Sequence, residues 1–330
     1  MTCLVTGATG LIGSHLVEQL VVRGERVRTL VRPTSNTKRL RELDVEIRIG
    51  NLMDNATLMS AAKGVEVVYH CAALVSDWGP DEAFQQANVR GVRNVLGAAT
   101  RADVSRFLFL STSDVYGFPG TPVDETEHLS PRGFPYSDSK VDGETLVWTH
   151  HRKVGLPTTI IRPASVYGPR AMLLVVGLIN QLRQRKAFLI DEGRHVAGLA
   201  YVGNLVDLII LAANSENSVG QAYNASDGSD ITWKQYLDAL ADVARVPRAT
   251  RNRSHTVAFA MASVWEAWYH MRGRTERPPS TRMLVELMGT SQAFPIDKAC
   301  EQLGYRPRVD FRTGMEYTAD WLFQSGVLRD

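Results

Sequence analysis

The sequence predicts an α/β protein, a doubly wound parallel sheet followed by a smaller, mostly helical C-terminal domain. Three observations carry this. Short apolar runs alternate with helix-length segments from residue 1 to about 165. The first run enters a glycine-spaced turn and then an amphipathic segment. Beyond about residue 170 helical patterns dominate, and no linker or repeat intervenes.

The strand runs are 3–6, 27–31, 46–49, 65–70, 107–110 and 158–161. They are rich in Val, Ile and Leu and bounded by polar residues or glycine, as strands covered on both faces are. In the second half, helices are expected near 172–186, 204–213, 232–244, 256–271 and 281–290, with short strands at 187–190 and 221–224. The 330 residues are 44% hydrophobic and 22% charged, enough for a core without staples. Cys3, Cys71 and Cys300 are scattered and odd in number, which predicts free thiols in a reducing compartment and no zinc spacing. No cleavable leader and no run of about 18 apolar residues is found, so a cytoplasmic protein without a transmembrane segment is expected. A net charge of +2 gives no reason to expect nucleic acid. Thirty of the 37 basic residues are arginine, so a single arginine argues little.

The run 3–6 leads into Gly7-Ala8-Thr9-Gly10-Leu11-Ile12-Gly13. Gly7 permits the tight turn, Gly10 lets backbone approach a pyrophosphate, and Gly13 lets the following helix pack on the strand. Thr9, Leu11 and Ile12 complete a loop that places free N–H groups of a helix N-terminus at the phosphates. The strand–loop–helix context makes this a dinucleotide site.

The second strand ends in Val31-Arg32, where an NAD-specific site carries Asp or Glu to accept from the ribose hydroxyls. Arg32, Ser35 and Lys38 suit a 2′-phosphate instead. NADP(H) is therefore expected over NAD(H). Asn51 and Leu52 follow the third strand and are placed at the adenine. Ala72 and Ala73 follow the fourth, where small residues admit the cofactor.

Tyr136 and Lys140 stand four apart at the start of a helical segment, so they share one face. A nearby ammonium favours tyrosinate, bringing the phenol toward neutral-pH proton exchange. The fifth strand ends in Ser111-Thr112-Ser113-Asp114-Val115-Tyr116-Gly117, placing hydroxyls at the crevice of an open sheet, where they can donate to a reacting oxygen.

Glycine loop, strand-end hydroxyl and Tyr/Lys pair, in this order, resemble the extended short-chain dehydrogenase/reductase superfamily over nearly the whole chain. The resemblance implies a Rossmann-type fold, with residues 1–170 as the dinucleotide-binding domain (later segments returning to it) and 171–330 mainly as a substrate domain. It implies Thr112 as the catalytic hydroxyl, with Ser111 and Ser113 as rivals, Tyr136 as acid/base and Lys140 as its partner on the nicotinamide ribose. Asn88 matches the structural and proton-relay asparagine. Pro163, Ala164, Ser165 and Val166 match the segment at the carboxamide. It also implies a homodimer through two helices on one sheet face. Where related sequences often carry Asp, this chain has Asn204.

The segment Ala73–Gly79, the run Pro278–Arg282 and the run Ala299–Pro307 resemble the 3β-hydroxysteroid dehydrogenase-like and 2-alkyl-3-oxoalkanoate reductase branch. This implies a hydrophobic ketone or secondary alcohol as substrate, with Trp78, Ser113, Asp114 and His195 as candidate contacts. In 256–271, Val257, Met261, Val264, Trp265 and Trp268 form an apolar stripe edged by Tyr269, with Phe259 opposite. The stripe serves to wall a pocket, to rest on a membrane, or to pack within the protein. A nucleotide-sugar epimerase or dehydratase is the rival reading, with Asp114 as base and Arg183, Arg185, Arg194 or Arg308 on a diphosphate. A dinucleotide-binding sensor without chemistry is the third; retention of Tyr136 and Lys140 argues against it.

Overall fold

The computed structural model describes residues 1–328. Seven parallel strands form the central sheet, and they alternate with helices in chain order. They begin with β1 (Thr2–Thr6), α1 (Leu11–Val22), β2 (Arg26–Val31), α2 (Lys38–Arg41), β3 (Val45–Ile49), α3 (Asn55–Ala62) and β4 (Val67–His70). Next come α4 (Asp81–Phe84), a π-helical turn at Gln85–Arg90, α5 (Gly91–Arg101), β5 (Arg106–Leu110), α6 (Pro135–Val154) and β6 (Thr158–Pro163). The cap supplies β7 (Ser165–Tyr167), α7 (Leu178–Arg183), β8 (Phe188–Ile190) and β9 (Leu199–Tyr201). Then α8 (Val202–Ala213) and β10 (Gln221–Ala225) rejoin the sheet. The chain closes with α9 (Trp233–Ala244), β11 (Arg251–Arg253), α10 (His255–Met271), α11 (Arg282–Gly289), α12 (Asp297–Leu303) and α13 (Phe311–Gln324).

The sheet order is β10-β6-β5-β4-β1-β2-β3. The order reverses beside β1, and ligands bind such sheets in the crevice at that switch point, outside the carboxyl ends of the strands. Each strand feeds two cores through its alternating side chains. Cys3, Val5, Leu108, Leu110 and Ile161 face α1 and α8, whereas Leu4, Phe107, Phe109 and Ile160 face α3, α5 and α6. Both faces are buried, which is why the strands read as continuous apolar runs. A third core, around Tyr167, Trp233, Tyr236, Val285 and Met315, holds the cap together.

All six predicted strands of the first half are present within two residues of the expected ends. The run at 221–224 is the seventh strand of the main sheet, paired with β6. Likewise α8 packs on α1 and the sheet and not within the cap. The pattern gave no sign of β7, β9, β11, α12 or α13. Three-residue strands carry no readable period. The last helix did have a readable start, since Asp310 accepts from the Thr313 N–H at 2.8 Å as its cap. The expected helix 172–186 is broken into a π-helical turn at Met172–Gly177 followed by α7.

Candidate active site

The phosphate loop is built by steric necessity. Gly7 has φ +70°, and a Cβ there would sit 2.7 Å from the Ala72 backbone nitrogen. A Cβ at Gly13 would sit 2.2 Å from the Gly7 carbonyl oxygen. The loop therefore closes against the end of β4 and under α1, which only glycines allow. No side chain caps α1, so its first N–H groups stay available for an anion. This cradle fits the pyrophosphate of a dinucleotide.

Around it stand the remaining cofactor candidates. Val31 ends β2 buried, while Arg32 and Lys38 are exposed and take part in no ion pair among the described residues. Ser35 closes a turn by donating its N–H to the Arg32 carbonyl at 2.9 Å. Asn51 uses its side-chain oxygen on the Met53 N–H at 2.7 Å. Leu52 packs against Gly91. Ala72 donates its N–H to the Thr6 hydroxyl at 3.3 Å, and Ala73 is exposed at the crevice. Pro163 ends β6, and the N–H groups of Ala164 and Ser165 are already bonded to Ala225 and Gly198. Val166 lies in β7, paired with Ala200. A cluster that the sequence did not reveal lines a cavity of about 80 Å³ beside Ala8 and Thr9. There Glu18 forms ion pairs with Arg39 and Arg170, which hold its carboxyl down at about 2. Those three residues lie in separate segments, so spacing could not bring them together.

Tyr136 and Lys140 lie on the buried face of α6, with Glu144 one turn further on. The Lys140 ammonium donates to the Leu110 carbonyl at 2.5 Å and sits 4.2 Å from the Phe109 ring centre. Burial brings its pKa down to about 8, against the pull of Glu144. Thr112 caps the 3₁₀ turn Ser113–Tyr116, accepting from the Asp114 N–H at 3.2 Å. Asp114 is raised to about 6 because it is partly buried with no cation beside it. Burial and the Asp114 charge push Tyr136 above the usual phenol range. The lowering of Tyr136 by Lys140 expected from the sequence is not what the polypeptide alone does, because burial of the phenol dominates. Ser113 is buried in the same turn, and the Ser111 hydroxyl is buried without a hydrogen-bond partner.

Asn88 lies in the π-helical turn, and such turns recur at functional sites. Its oxygen accepts from the Leu74 N–H at 2.8 Å. Its amide donates to the Leu74 carbonyl at 3.0 Å and the Ser139 hydroxyl at 2.9 Å. All its polar atoms are thus used in clamping the β4 exit onto α6. That is the structural half of the expected role.

A buried network unseen in the sequence braces the same helix. Arg162 donates twice to Glu144, at 3.0 and 2.7 Å, and once to the Tyr116 hydroxyl at 2.8 Å. Tyr116 donates in turn to Asn224 at 2.8 Å. The i+8 spacing of Glu144 from Tyr136 was a usable signal; its partner on β6 was not.

The Tyr136 ring sits in a cluster with Phe84, Phe118, Phe134 and Met283, bordered by Leu74 and Leu287. Met283 and Leu287 belong to α11, so the cap closes over the tyrosine. The two segments singled out at 73–79 and 278–282 meet there. Asp77 accepts from Arg277 at 2.7 and 2.5 Å and from the Thr281 hydroxyl at 2.6 Å. Trp78 packs against His270 at 4.6 Å and edge-on to Tyr269 at 6.1 Å between ring centres. His195 is not brought into this group. It pairs with Asp191 at 3.4 Å, within the cap. Arg183, Arg185, Arg194 and Arg308 are exposed. The α10 stripe is reversed from a packing face. Ala258, Ala262 and Glu266 are the buried residues, with Phe259 packed against the cap core, while Val257, Val264 and Trp265 are exposed.

Asn204 also finds its reason. It donates to the Asp227 carboxyl and the Val309 carbonyl, both at 2.8 Å, and accepts from the Arg308 and Val309 N–H groups at 3.0 Å. An Asp there could accept but not donate to Asp227.

The model of the NAD dependent epimerase/dehydratase family matches residues 3–226. A 4-hydroxy-2-methyl-3-oxo-4-farnesyl-3,4-dihydroquinoline-1-oxide ketoreductase from Stigmatella aurantiaca is 31% identical, covering 96% of this chain and 95% of that protein. A 2-alkyl-3-oxoalkanoate reductase from Stenotrophomonas maltophilia (strain K279a) is 29% identical, covering 96% and 97%. The crystal structure of gox2253 superposes with a TM-score of 0.84 at 29% identity, over 99% of both chains.

Proposed function

Since the chain belongs to the NAD dependent epimerase/dehydratase family and is an NAD(P)-dependent enzyme of the extended short-chain dehydrogenase/reductase type, we propose that it is a ketoreductase acting on a hydrophobic ketone, with NADP(H) preferred. The observation that carries this is the apolar cluster around Tyr136. A substrate reaching the phenol passes Phe118, Phe134 and Met283, which suit alkyl or ring carbons and offer nothing to a diphosphate. The two relatives named as a ketoreductase and a 2-alkyl-3-oxoalkanoate reductase support the same class. The exposed positions of Arg183, Arg185, Arg194 and Arg308 weigh against the nucleotide-sugar reading.

The placement of the residues is compatible with these roles. Tyr136 gives its phenolic proton to the substrate oxygen, and Thr112 donates a hydrogen bond to that oxygen. Lys140, held at the end of β5, would bond to the nicotinamide ribose, with the α1 N-terminus on the pyrophosphate and Arg32 and Lys38 at a 2′-phosphate. When bound, the cofactor supplies the hydride. Asn88 fixes the floor of the site by locking Leu74 to α6.

The exposed stripe of α10 adds a partner to this reading. Val257, Val264, Trp265 and Met271 face outward, and Arg272 and Arg274 flank Trp268 at the end nearer Trp78. Apolar and indole side chains ringed by guanidinium groups suit an anionic lipid surface. A hydrophobic substrate would be drawn from there.

The test is a screen following NADPH oxidation, pairing hydrophobic 3-oxo compounds with UDP- and GDP-sugars. Turnover of the former is expected; turnover of sugar nucleotides alone would overturn the reading.

A further inference from the structure

We propose that Arg39 binds the 2′-phosphate of NADP(H), and that Glu18 and Arg170 are positioning residues that hold its guanidinium at that phosphate. Cofactor preference is then set in part from the segment after β7, far in sequence from the end of β2. The inference rests on the reading of NADP(H) as the preferred cofactor.

The site is the cavity of about 80 Å³ that adjoins the glycine loop. Thr9 of the loop, Glu18 of α1, Asn36, Arg39 and Leu40 around α2, and Arg170 line it. It therefore lies between the pyrophosphate cradle and the segment that follows β2. The adenosine ribose of a dinucleotide bound to such a sheet sits between those same two segments.

What this cavity offers is donors and one positive charge. Arg170 fills both oxygens of Glu18, at 2.6 and 2.9 Å, in a bidentate pair. Arg39 gives Glu18 only its Nε, so both terminal nitrogens of its guanidinium are without a partner among the described residues. Asn36 uses its oxygen on the Lys38 N–H at 3.1 Å, and its amide nitrogen is likewise without a partner among the described residues. A planar fork with two free N–H edges matches a phosphate. Against the pull of burial, the two arginines hold the Glu18 carboxyl down at about 2, so it is ionised throughout the neutral range. One carboxylate against two guanidinium groups leaves a charge of +1. Arg32 and Lys38 are exposed and have no ion-pair partner to orient them, so they add charge at the rim without a fixed geometry.

The carboxylate beside a phosphate is what makes Arg170 necessary. Without Arg170 the cluster has no net charge, and Glu18 competes with the phosphate for Arg39. With it, Glu18 is satisfied from the far side and serves Arg39 as an anchor. Arg170 takes φ +71°, a left-handed conformation that few residues other than glycine adopt. Such backbone persists where contacts hold it, and the double bond to Glu18 is the contact made by this side chain.

The test reads binding alone. 2′,5′-ADP and 5′-ADP are titrated calorimetrically into the intact protein and its variants at one salt concentration. The intact protein is expected to bind 2′,5′-ADP about tenfold more tightly or better. Arg39→Ala is expected to weaken 2′,5′-ADP by about tenfold or more, the usual worth of a charged hydrogen bond, and to leave 5′-ADP within about twofold. Arg32→Ala is expected to cost less. The Arg39 side chain is 56% exposed, so its removal spares the fold, as a thermal melt checks. Arg170→Ala is expected to weaken 2′,5′-ADP selectively, and Glu18→Gln added to it is expected to restore the affinity, because the charge returns to +1. A brace with no electrostatic role is not repaired by removing its second half. Affinity for 2′,5′-ADP unchanged in Arg39→Ala overturns the assignment and leaves the NADP(H) reading standing. A loss in Arg170→Ala that Glu18→Gln does not repair overturns the positioning roles. Equal affinity of the intact protein for the two nucleotides overturns the NADP(H) reading itself.

Discussion

At the scale of single residues, two substitutions separate chemistry from architecture. Tyr136→Phe keeps the ring in its apolar cluster and removes only the proton. Turnover should fall by roughly 10²–10⁴-fold, while cofactor affinity, measured by fluorescence titration, stays within a factor of about two. A matching loss of cofactor binding would instead assign Tyr136 to the binding surface. Asn204→Asp tests the opposite kind of residue. It places a second carboxyl against Asp227, which burial already raises to about 6. A loss of about 2 kcal/mol is expected in urea unfolding, with partial recovery in Asn204→Asp/Asp227→Asn, where the donor to the other side chain is restored but the Val309 carbonyl still lacks one.

Asp227 also predicts a pH dependence. A carboxyl whose folded pKa is raised binds its proton before the unfolded chain does. The folded state therefore gains stability as pH falls from above 6 toward the ordinary carboxyl range near 4. Asp227→Asn should flatten that part of the stability–pH curve, and an unchanged slope between those limits would show that the group is not perturbed.

At the scale of elements, α6 and α10 show what a helical pattern reveals and what it hides. Tyr136, Lys140 and Glu144 stand at four-residue intervals, and all three are on the buried face, as the spacing requires. In α10 the same arithmetic found the stripe but left its use open. Val257 and Val264 point to solvent, whereas Ala258 and Ala262 are buried and α11 packs on the helix. Glu266 goes inside as well, since it caps α11 by accepting from the Arg282 N–H and guanidinium at 2.6 Å. The outward stripe leads to a prediction. Val257→Ser/Val264→Ser should reduce co-sedimentation with phosphatidylglycerol vesicles at least several-fold and leave the melting temperature unchanged, since both side chains are exposed. Equal sedimentation of both proteins would remove the lipid surface from the reading. On α11, Met283 is the cap's contribution to the tyrosine cluster. Met283→Asp should raise KM for apolar ketones far more than it changes the binding of NADPH.

At the scale of the whole molecule, the site exists only because the cap is tied across the sheet's open edge. Asp77 on the β4 exit holds Arg277 and Thr281 on the cap, two hundred residues away in sequence. Asp227, on the segment after β10, is bonded both to the Tyr201 N–H at the start of α8 and to Asn204. Cofactor preference also belongs at this scale, because it reads as a shift of the global equilibrium. NADPH at a hundred times its Kd should stabilise the fold by about 2.7 kcal/mol. NADH at the same concentration should stabilise it less, and Arg32→Ala/Lys38→Ala should narrow the gap. A larger shift with NADH would reverse the assignment.

The sequence by itself determined the sheet, the glycine loop and the order of Thr112, Tyr136 and Lys140. These are set by local periodicity and by spacing within one or two elements, where backbone geometry translates position into direction. The tertiary structure decided the rest. It tied Glu18 to Arg170 and Glu144 to Arg162, bonded Asn88 to Leu74 and Ser139, and turned Val257 and Val264 of α10 outward. In each case the deciding partner lies on another element. Whether a polar atom is free or bonded depends on what the folded chain brings to it, and a spacing rule within one segment carries no information about that.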